Sequence, residues 1–337
     1  MENNLIYSSS PHIKAKRTTR NIMIDVCIAL LPATVMGIVY FGAYALLLVA
    51  LAVLSAVAGE YIYLLIMKKP FKEITREFDF SSVVSGMLIG LTIGTNYPVY
   101  APIFGSLFAV IVVKMLFGGT GKNVVNPAIA GRVFIFISFQ WAVGAWLFPA
   151  IGTPINLIQP EPETGATAIP ALIEGVLKGD AVPKFSLLDM LLGTGMQGCI
   201  GETCKLALLA GGIYLAARKV INIIFPLIYI AVAGLTTTVI GGFDFALFLP
   251  SILSGGLILG AIFMATDYTT TPNTRLGNII YFIALGILTA VLRYATNMET
   301  VSFAILLMNL TVPLIDKFIL NKPFGYKKQI KSKGENK

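Results

Sequence analysis

Long apolar stretches, separated by short polar segments, follow one another along almost the whole chain of 337 residues. Residues 43–67, for example, contain only one ionisable carboxylate, that of Glu60, and Lys68 and Lys69 follow this stretch. About 20 consecutive apolar residues are enough for a helix to cross the hydrocarbon core of a bilayer. The pattern therefore predicts an all-α polytopic membrane protein in contact with membrane lipid.

Ten membrane spans are predicted from these stretches. Their bounds are 22–40, 43–67, 81–94, 101–117, 128–148, 206–217 with a short apolar piece at 187–200 before it, 221–240, 245–265, 278–295 and 301–320. The third span is short, and the fifth is expected to begin with Asn126 as its cap and Pro127 in its first turn. The chain then divides into a polar N-terminus (1–21), a first membrane half (22–148), a loop (149–186), a second membrane half (187–320) and a basic tail (321–337).

Lysine and arginine residues occupy every second connection between the predicted spans. They precede the first span, recur in residues 68–80 and in the later connections at Lys122, Arg218 and Arg275, and fill the tail. Cytoplasmic loops of membrane proteins carry an excess of these residues. We therefore expect a multi-pass protein of the cytoplasmic membrane with both termini inside and the acidic loop 149–186 on the extracytoplasmic side.

A weak internal repeat relates the two predicted halves. Residues 85–89 read Ser-Gly-Met-Leu-Ile and residues 254–258 read Ser-Gly-Gly-Leu-Ile, and each run precedes a polar, proline-bearing segment. Five spans per half would place the two copies in opposite directions across the membrane. Inverted repeats with broken helices are typical of transporters that bind their ligand near the midplane. Asn96 and Asp267, in the two polar segments, are therefore candidates for an ion pathway.

Charged residues in or beside the predicted spans form a further set of candidates, because intramembrane charges are costly and usually face the protein interior. They are Asp25, Glu60, Lys114, Arg132, Glu202, Lys205, Asp267 and Arg293. Glu202 and Lys205 lie three positions apart, so a helix would place them on one face as an ion pair. Glu202 is a third ion-pathway candidate. A structural ion pair or a side chain that reaches out to the membrane surface remains the alternative for each residue.

The overall composition agrees with a membrane protein. Hydrophobic residues make up 56% of the chain and charged residues 12%, and the mean hydropathy is +0.81. A net charge of +8 would favour nucleic-acid binding in a soluble protein. Here the lysines are explained as topology signals, so no nucleic-acid partner is expected. Three cysteines and one histidine form no metal-binding motif, and no metal site is expected.

Residues 161–167 in the predicted outer loop read Glu-Pro-Glu-Thr-Gly-Ala-Thr, with a nearly bare backbone before the hydroxyl of Thr167. Alone, this sequence is an ordinary turn. Its place between the fifth and sixth spans, together with the segments 85–94, 126–131, 186–189 and 198–214, makes the chain resemble the family of RnfD and NqrB membrane subunits. Only about 20 polar residues precede the first span, which resembles the RnfD branch, since NqrB is usually longer there.

This resemblance implies a covalent flavin. In the family, a separate flavin transferase links FMN through a phosphoester to the last threonine of the motif, which corresponds to Thr167. Thr164, Gly165 and Ala166 also match the motif. Glu161 stands where the family has aspartate, so the carboxylate is kept on a side chain that is one methylene longer.

The resemblance also implies a function for the whole complex. Such a complex passes electrons between reduced ferredoxin and NAD⁺ and couples this to Na⁺ or H⁺ transport, as a translocase whose single subunits are not active alone. The chain has neither a nucleotide-binding fingerprint nor cysteine ligands for iron–sulfur clusters, so other Rnf subunits, including a second FMN-bearing one, must handle ferredoxin and NAD⁺. No residue of this chain is expected to be catalytic. A urea-channel-like fold is implied as well, with a central space for a non-covalent flavin such as riboflavin or for the ion route.

Two alternatives stay open at this point. One is an NqrB-like subunit of a Na⁺-translocating NADH:quinone reductase. The other is a flavin-free solute channel or transporter, which the inverted repeat would also suit. Flavin fluorescence on a denaturing gel separates the flavin-bearing subunits from a plain channel.

Overall fold

The computed structural model describes residues 17–142, 186–194 and 197–320, and every regular element within those ranges is helical. The helices are α1 (Thr19–Ile66), α2 (Phe71–Glu77), α3 (Ser81–Thr92), α4 (Tyr100–Met115), α5 (Pro127–Ser138), α6 (Leu187–Leu192), α7 (Lys205–Ala217), α8 (Ile224–Ile240), α9 (Phe245–Leu253), α10 (Leu257–Met264), α11 (Arg275–Thr296) and α12 (Val301–Phe318). The all-α prediction is thereby confirmed for the described part of the chain.

Helix α1 contains the first two predicted spans. Its 48 residues would extend for about 70 Å at 1.5 Å per residue, more than twice the thickness of a bilayer core. Gly42 interrupts the helix with φ 73° and ψ −163°, a conformation that a residue with a Cβ atom rarely adopts. The break falls in the predicted connection between residues 40 and 43, so one predicted span lies on each side of it.

Three helices in the described ranges are by themselves long and apolar enough to cross a membrane: α1, α11 and α12. Helices α9 and α10 add a fourth crossing if the bent pair is counted as one span. Helices α3, α4, α5, α7 and α8 are apolar but shorter, with 10 to 17 residues each. Ten crossings in two inverted halves therefore stay a prediction, and short helices are a general feature of this fold.

Two predicted spans have the wrong bounds. The fifth was expected to continue to residue 148, but α5 ends at Ser138, because Phe139 leaves the helical conformation with φ −120° and ψ 48°. The sixth was expected to extend α7 backwards through residues 187–200. Instead α6 ends at Leu192, because Gly193 has a left-handed φ of 81°, and the described residues between α6 and α7, 193–194 and 197–204, are not helical. Asn126 caps α5 as predicted, accepting a hydrogen bond of 2.9 Å from the amide of Ala128.

The eighth predicted span is broken. The two copies of the internal repeat differ here, because only the second copy lies at the break. Helices α9 and α10 meet at residues 254–256 with a bend of 69°, and Gly255 has φ 62°. Ser254 and Gly255 thus lie in the break, whereas their counterparts Ser85 and Gly86 lie inside α3. A Cβ atom on Gly86 would come within 2.6 Å of the Cα atom of Val53, so this glycine allows α3 to approach the backbone of α1 rather than a ligand.

The non-helical segment 197–204 holds the end of α3. The amides of Ile200 and Gly201 donate hydrogen bonds to the carbonyls of Ile93 (3.0 Å) and Leu91 (2.7 Å). These carbonyls would otherwise be left without a partner where α3 ends inside the protein. A Cβ atom on Gly201 would lie 2.5 Å from the Cβ atom of Leu91, so the close contact needs glycine. The segment therefore ties the second half of the chain to the first.

Candidate functional site

A cavity of about 100 Å³, which we call the central cavity because residues of both halves of the chain line it, lies between their helices. It is lined by the start of α1, by α3, by the N-terminus of α5, by α10 and by the loop that follows α10. Most of its wall is apolar, and its polar lining includes Ser81, Ser85, Lys114, Asn123, Thr266 and Asp267. Thr120, Asn123, Val220 and Ile221 also line it, and the charge pattern places both of these connections on the cytoplasmic side. In the predicted orientation, the cavity therefore lies toward the inner face.

Asp267 lies in the wall of this cavity and is half-buried. Its carboxylate accepts hydrogen bonds from the hydroxyls of Thr269 (2.9 Å) and Thr270 (3.3 Å). Asn123 in turn donates to the Thr269 hydroxyl at 3.0 Å. Arg275, eight positions farther along the chain, forms no salt bridge with Asp267, and neither does any other cation in the described ranges. Within those ranges, hydroxyl and amide groups hold this carboxylate at the cavity.

A buried ion pair lies on the other side of the cavity. The ammonium group of Lys114 lies 3.1 Å from a carboxylate oxygen of Glu60, with side-chain exposures of 3% and 10%. Ser81 and Ser82 accept further hydrogen bonds from Lys114 at 2.6 and 3.1 Å. Ser82 also donates to Glu60. Both charges of this pair are matched, which is the usual condition for burying them.

Asp79, in the connection between α2 and α3, extends this group toward the predicted inner surface. Its carboxylate lies 4.0 Å from the Lys114 ammonium group. Burial raises the pKa of Asp79, but Lys114 and hydrogen bonds from Ser81 and Thr120 outweigh that effect and lower the pKa below its ordinary value. Asp79 therefore stays ionised at neutral pH and adds to the negative charge around Lys114.

A second group of charged residues, which we call the charged cluster, comprises Arg132, Glu202, Lys205, Arg293 and Glu299. Three of its members, Glu202, Lys205 and Arg293, lie at the break between α9 and α10. Arg293 donates to the carbonyls of Ser251 (3.0 Å) and Ser254 (3.2 Å), and Lys205 donates to the carbonyl of Gly255 at 2.7 Å. Arg293 and Lys205 thus satisfy carbonyl groups that the break has freed. Glu299 balances Arg293 across a distance of 2.9 Å.

Glu202 lies within this cluster but not as predicted. It belongs to the non-helical segment before α7, so it does not share a helical face with Lys205. The Lys205 ammonium group instead contacts the backbone carbonyl of Glu202. The Glu202 carboxylate accepts a hydrogen bond of 2.8 Å from the amide of Cys199, and a Cβ atom on Gly256 would lie 2.7 Å from its other oxygen. The predicted side-chain ion pair is therefore wrong.

Seven of the eight charged residues singled out in the sequence are buried, and Asp267 is half-buried. This confirms that intramembrane charges face the protein interior. Asp25, the member not yet described, accepts a hydrogen bond of 3.0 Å from Tyr214 and pairs with Arg218 at 3.2 Å. Sequence reasoning missed Glu299, because it lies in a short loop and its partner Arg293 is six positions away. It also missed the role of residues 197–204, which no helical or strand pattern marks.

The three ion-pathway candidates lie in three different surroundings. Asp267 is at the central cavity, Glu202 is in the charged cluster, and the buried Asn96 donates a hydrogen bond to the carbonyl of Ala142. The predicted flavin-bearing residues lie outside the described residues: Glu161, Thr164, Gly165, Ala166 and Thr167. Residue 142, which Asn96 contacts, is the last one described before that segment.

Comparisons with known proteins agree with the resemblance in the sequence. The sequence model described as the NQR2, RnfD, RnfE family matches residues 6–325. The D subunit of a Na⁺-translocating ferredoxin:NAD⁺ oxidoreductase complex from Acetobacterium woodii is 40% identical over 97% of both chains. The D subunit of a proton-translocating ferredoxin:NAD⁺ oxidoreductase complex from Clostridium ljungdahlii is 35% identical, over 94% of this chain and 95% of the relative.

A third relative, the D subunit of an ion-translocating oxidoreductase complex from Stutzerimonas stutzeri, is 36% identical over 90% of this chain and 91% of its own length. The similarity therefore covers both predicted membrane halves and the connection between them, rather than one shared segment. On this near full-length agreement, the chain belongs to the NQR2, RnfD, RnfE family.

Proposed function

We propose that this chain is the D subunit of an ion-translocating ferredoxin:NAD⁺ oxidoreductase complex, in which it carries electrons on covalently bound FMN and takes part in Na⁺ or H⁺ transport. The observation that carries the proposal is the near full-length similarity to two relatives with that name. One of them is named for Na⁺ and the other for protons, so the proposal leaves the coupling ion open. The other subunits of the complex supply the sites for ferredoxin and NAD⁺.

The proposed flavin site is the hydroxyl of Thr167, with Thr164, Gly165, Ala166 and Glu161 as the motif that the flavin transferase recognises. The isoalloxazine ring of FMN supplies the electron-transfer chemistry, and the protein supplies position and electrostatics. Arg132, which is buried, carries a positively charged guanidinium group, and this charge suits the anionic phosphate of FMN. A second FMN-bearing subunit is the proposed exchange partner on the outer face.

The proposed ion pathway passes through the central cavity. Na⁺ is bound in proteins by carboxylate, hydroxyl and carbonyl oxygens, as other hard cations are, and Asp267 offers a carboxylate that no cation of the described ranges balances. A bound proton or Na⁺ would balance this charge. Water molecules that accompany such an ion would need polar partners. Asn123 and Thr266, which line the same cavity as Asp267, offer them. Glu202 and Asn96 are proposed for the pathway farther toward the outer face.

A non-covalent riboflavin is a separate part of the proposal. The cavity volume of about 100 Å³ is smaller than the roughly 150 Å³ of an engineered cavity that binds benzene. A tricyclic flavin would therefore need a wider space than the cavity has here. A few water molecules or a partly hydrated ion fit the present volume better, which favours the ion route for this cavity.

The test is the mass of the subunit isolated from cells that contain the flavin transferase. We expect one FMN phosphoester on the peptide that contains Thr167, with flavin fluorescence on a denaturing gel. Thr167→Ala should remove both signals, and Thr164→Ala is the matched control in the same motif. Covalent FMN that survives in Thr167→Ala would move the attachment site, and a wild-type subunit without flavin would favour a plain channel.

A further inference from the structure

Arg132 differs from the other cations of the charged cluster in its contacts. It lies on α5 and retains 9% of its accessible surface. A guanidinium group carries five N–H donors, and Arg293 uses its own on two carbonyl groups and on Glu299. Arg132 makes no hydrogen bond and no salt bridge with any residue in the described ranges. Within those ranges, its buried charge has no group that satisfies it directly.

The surrounding charges act on Arg132 from groups that are already engaged. The carboxylates of Glu202 and Glu299 both act on it electrostatically. Glu299, however, already pairs with Arg293 at 2.9 Å, and Glu202 is bonded to the amide of Cys199.

Three cations therefore stand against two carboxylates in the cluster, which leaves an excess of one positive charge. A buried ion without a partner is strongly unfavourable, so an anion would complete this group.

We propose that Arg132 is the centre of an anion-binding site for a phosphate group, and that this phosphate is the one of the FMN carried by the same chain. The second part rests on the proposed function. A planar guanidinium fork suits phosphate oxygens, which it can bind through two parallel hydrogen bonds. Arg132 would hold the phosphate and thereby position the flavin, without a role in the electron transfer itself.

Two features favour the flavin over a phospholipid headgroup as the source of this phosphate. Arg132 is nine-tenths buried among protein groups, whereas a lipid headgroup would meet a side chain at the lipid-facing surface. Glu299, one of the two carboxylates that act on Arg132, also belongs to the loop that precedes α12, which the charge pattern places on the outer side. That is the side on which the flavin attachment is proposed.

The test compares FMN with riboflavin, which differ by the phosphate group. The whole complex is purified with Thr167→Ala in this subunit, so that no tethered FMN competes, and binding of each free flavin is measured by equilibrium dialysis. We expect FMN to bind at least about tenfold more tightly than riboflavin, as one charge-assisted contact allows. Inorganic phosphate should compete with FMN and not with riboflavin.

Adding Arg132→Gln should abolish the preference for FMN, and Arg132→Lys should retain part of it, because an ammonium group keeps the charge but loses the fork. The matched control is Arg76→Gln, a charge removal on the exposed side of α2, which should leave the preference unchanged. If Arg132→Gln does not assemble, the fall in the FMN-to-riboflavin ratio in Arg132→Lys decides the question.

The proposal is overturned if FMN and riboflavin bind equally to the Thr167→Ala complex, or if the preference persists in Arg132→Gln. Native mass spectrometry separates the two phosphate sources. Loss of a bound phospholipid in Arg132→Gln, with an unchanged preference for FMN, would assign the site to lipid and refute the flavin assignment. Absence of FMN from Thr167 in the wild-type subunit would contradict the proposed function, while the dialysis result would still decide whether Arg132 binds phosphate.

Discussion

The buried ion pair between Glu60 and Lys114 offers the sharpest test of how this protein tolerates charge in its membrane region. At a separation of 3.1 Å, the attraction between the two charges is about 5 kcal/mol with an effective dielectric constant of about 20. Lys114→Met would leave Ser82 as the remaining hydrogen-bond donor to the Glu60 carboxylate among the described residues. Removing one partner of a buried pair typically costs about 3–5 kcal/mol, whereas replacing both partners is often nearly neutral.

We therefore expect Lys114→Met and Glu60→Gln each to destabilise the subunit strongly, and the double variant Glu60→Gln/Lys114→Met to be less destabilised than the sum of the two. The assay is the half-life of the solubilised complex at one elevated temperature, followed by size-exclusion chromatography, because such proteins commonly unfold irreversibly. If half of a cost of about 3 kcal/mol appears in the unfolding barrier, the half-life shortens about tenfold.

The chain offers a matched control for this experiment. Lys69 and Glu77 form a pair with a similar separation of 3.2 Å, but their side chains are 44% and 58% exposed. An exposed pair contributes less than about 1 kcal/mol, so Lys69→Met should change the half-life little. The reasoning would be refuted if Lys69→Met and Lys114→Met had equal effects, or if the double variant showed the full sum of the single effects.

Three further predictions concern topology, the ion pathway and the contact between the halves. Cysteine introduced by Asp180→Cys should react with an impermeant reagent in intact cells, whereas Lys328→Cys should react only after permeabilisation; the reverse pattern would contradict the predicted orientation. Asp267→Asn should slow ferredoxin:NAD⁺ activity or uncouple it from ion transport without loss of covalent FMN, and unchanged coupled activity would leave Asp267 a structural role only. Gly201→Ala should shorten the thermal half-life of the complex at least about tenfold, because the new Cβ atom would lie 2.5 Å from that of Leu91. An unchanged half-life would show that the segment 197–204 can shift to make room for a methyl group.

Much of the architecture follows from the sequence because a lipid bilayer permits few backbone conformations. Backbone groups in lipid must be paired within helices, so long apolar stretches predict helices directly, and the predicted starts of α3 and α12 agree with the structure. The same argument explains why the charged residues of the spans are buried. The motif around Thr167 is also identified from the sequence alone, because it is defined by the order of its residues.

The tertiary structure decided what the apolar pattern leaves undefined. Residues 245–265 are mostly apolar, yet the helix breaks at residues 254–256, because Arg293 and Lys205 arrive from distant parts of the chain to satisfy the freed carbonyls. Lys205 pairs with the backbone at the break and not with the Glu202 side chain, which spacing along a helix had suggested. The surplus charge at Arg132 is likewise invisible in the sequence, because the balance of charges in a cluster depends on contacts between residues far apart in the chain.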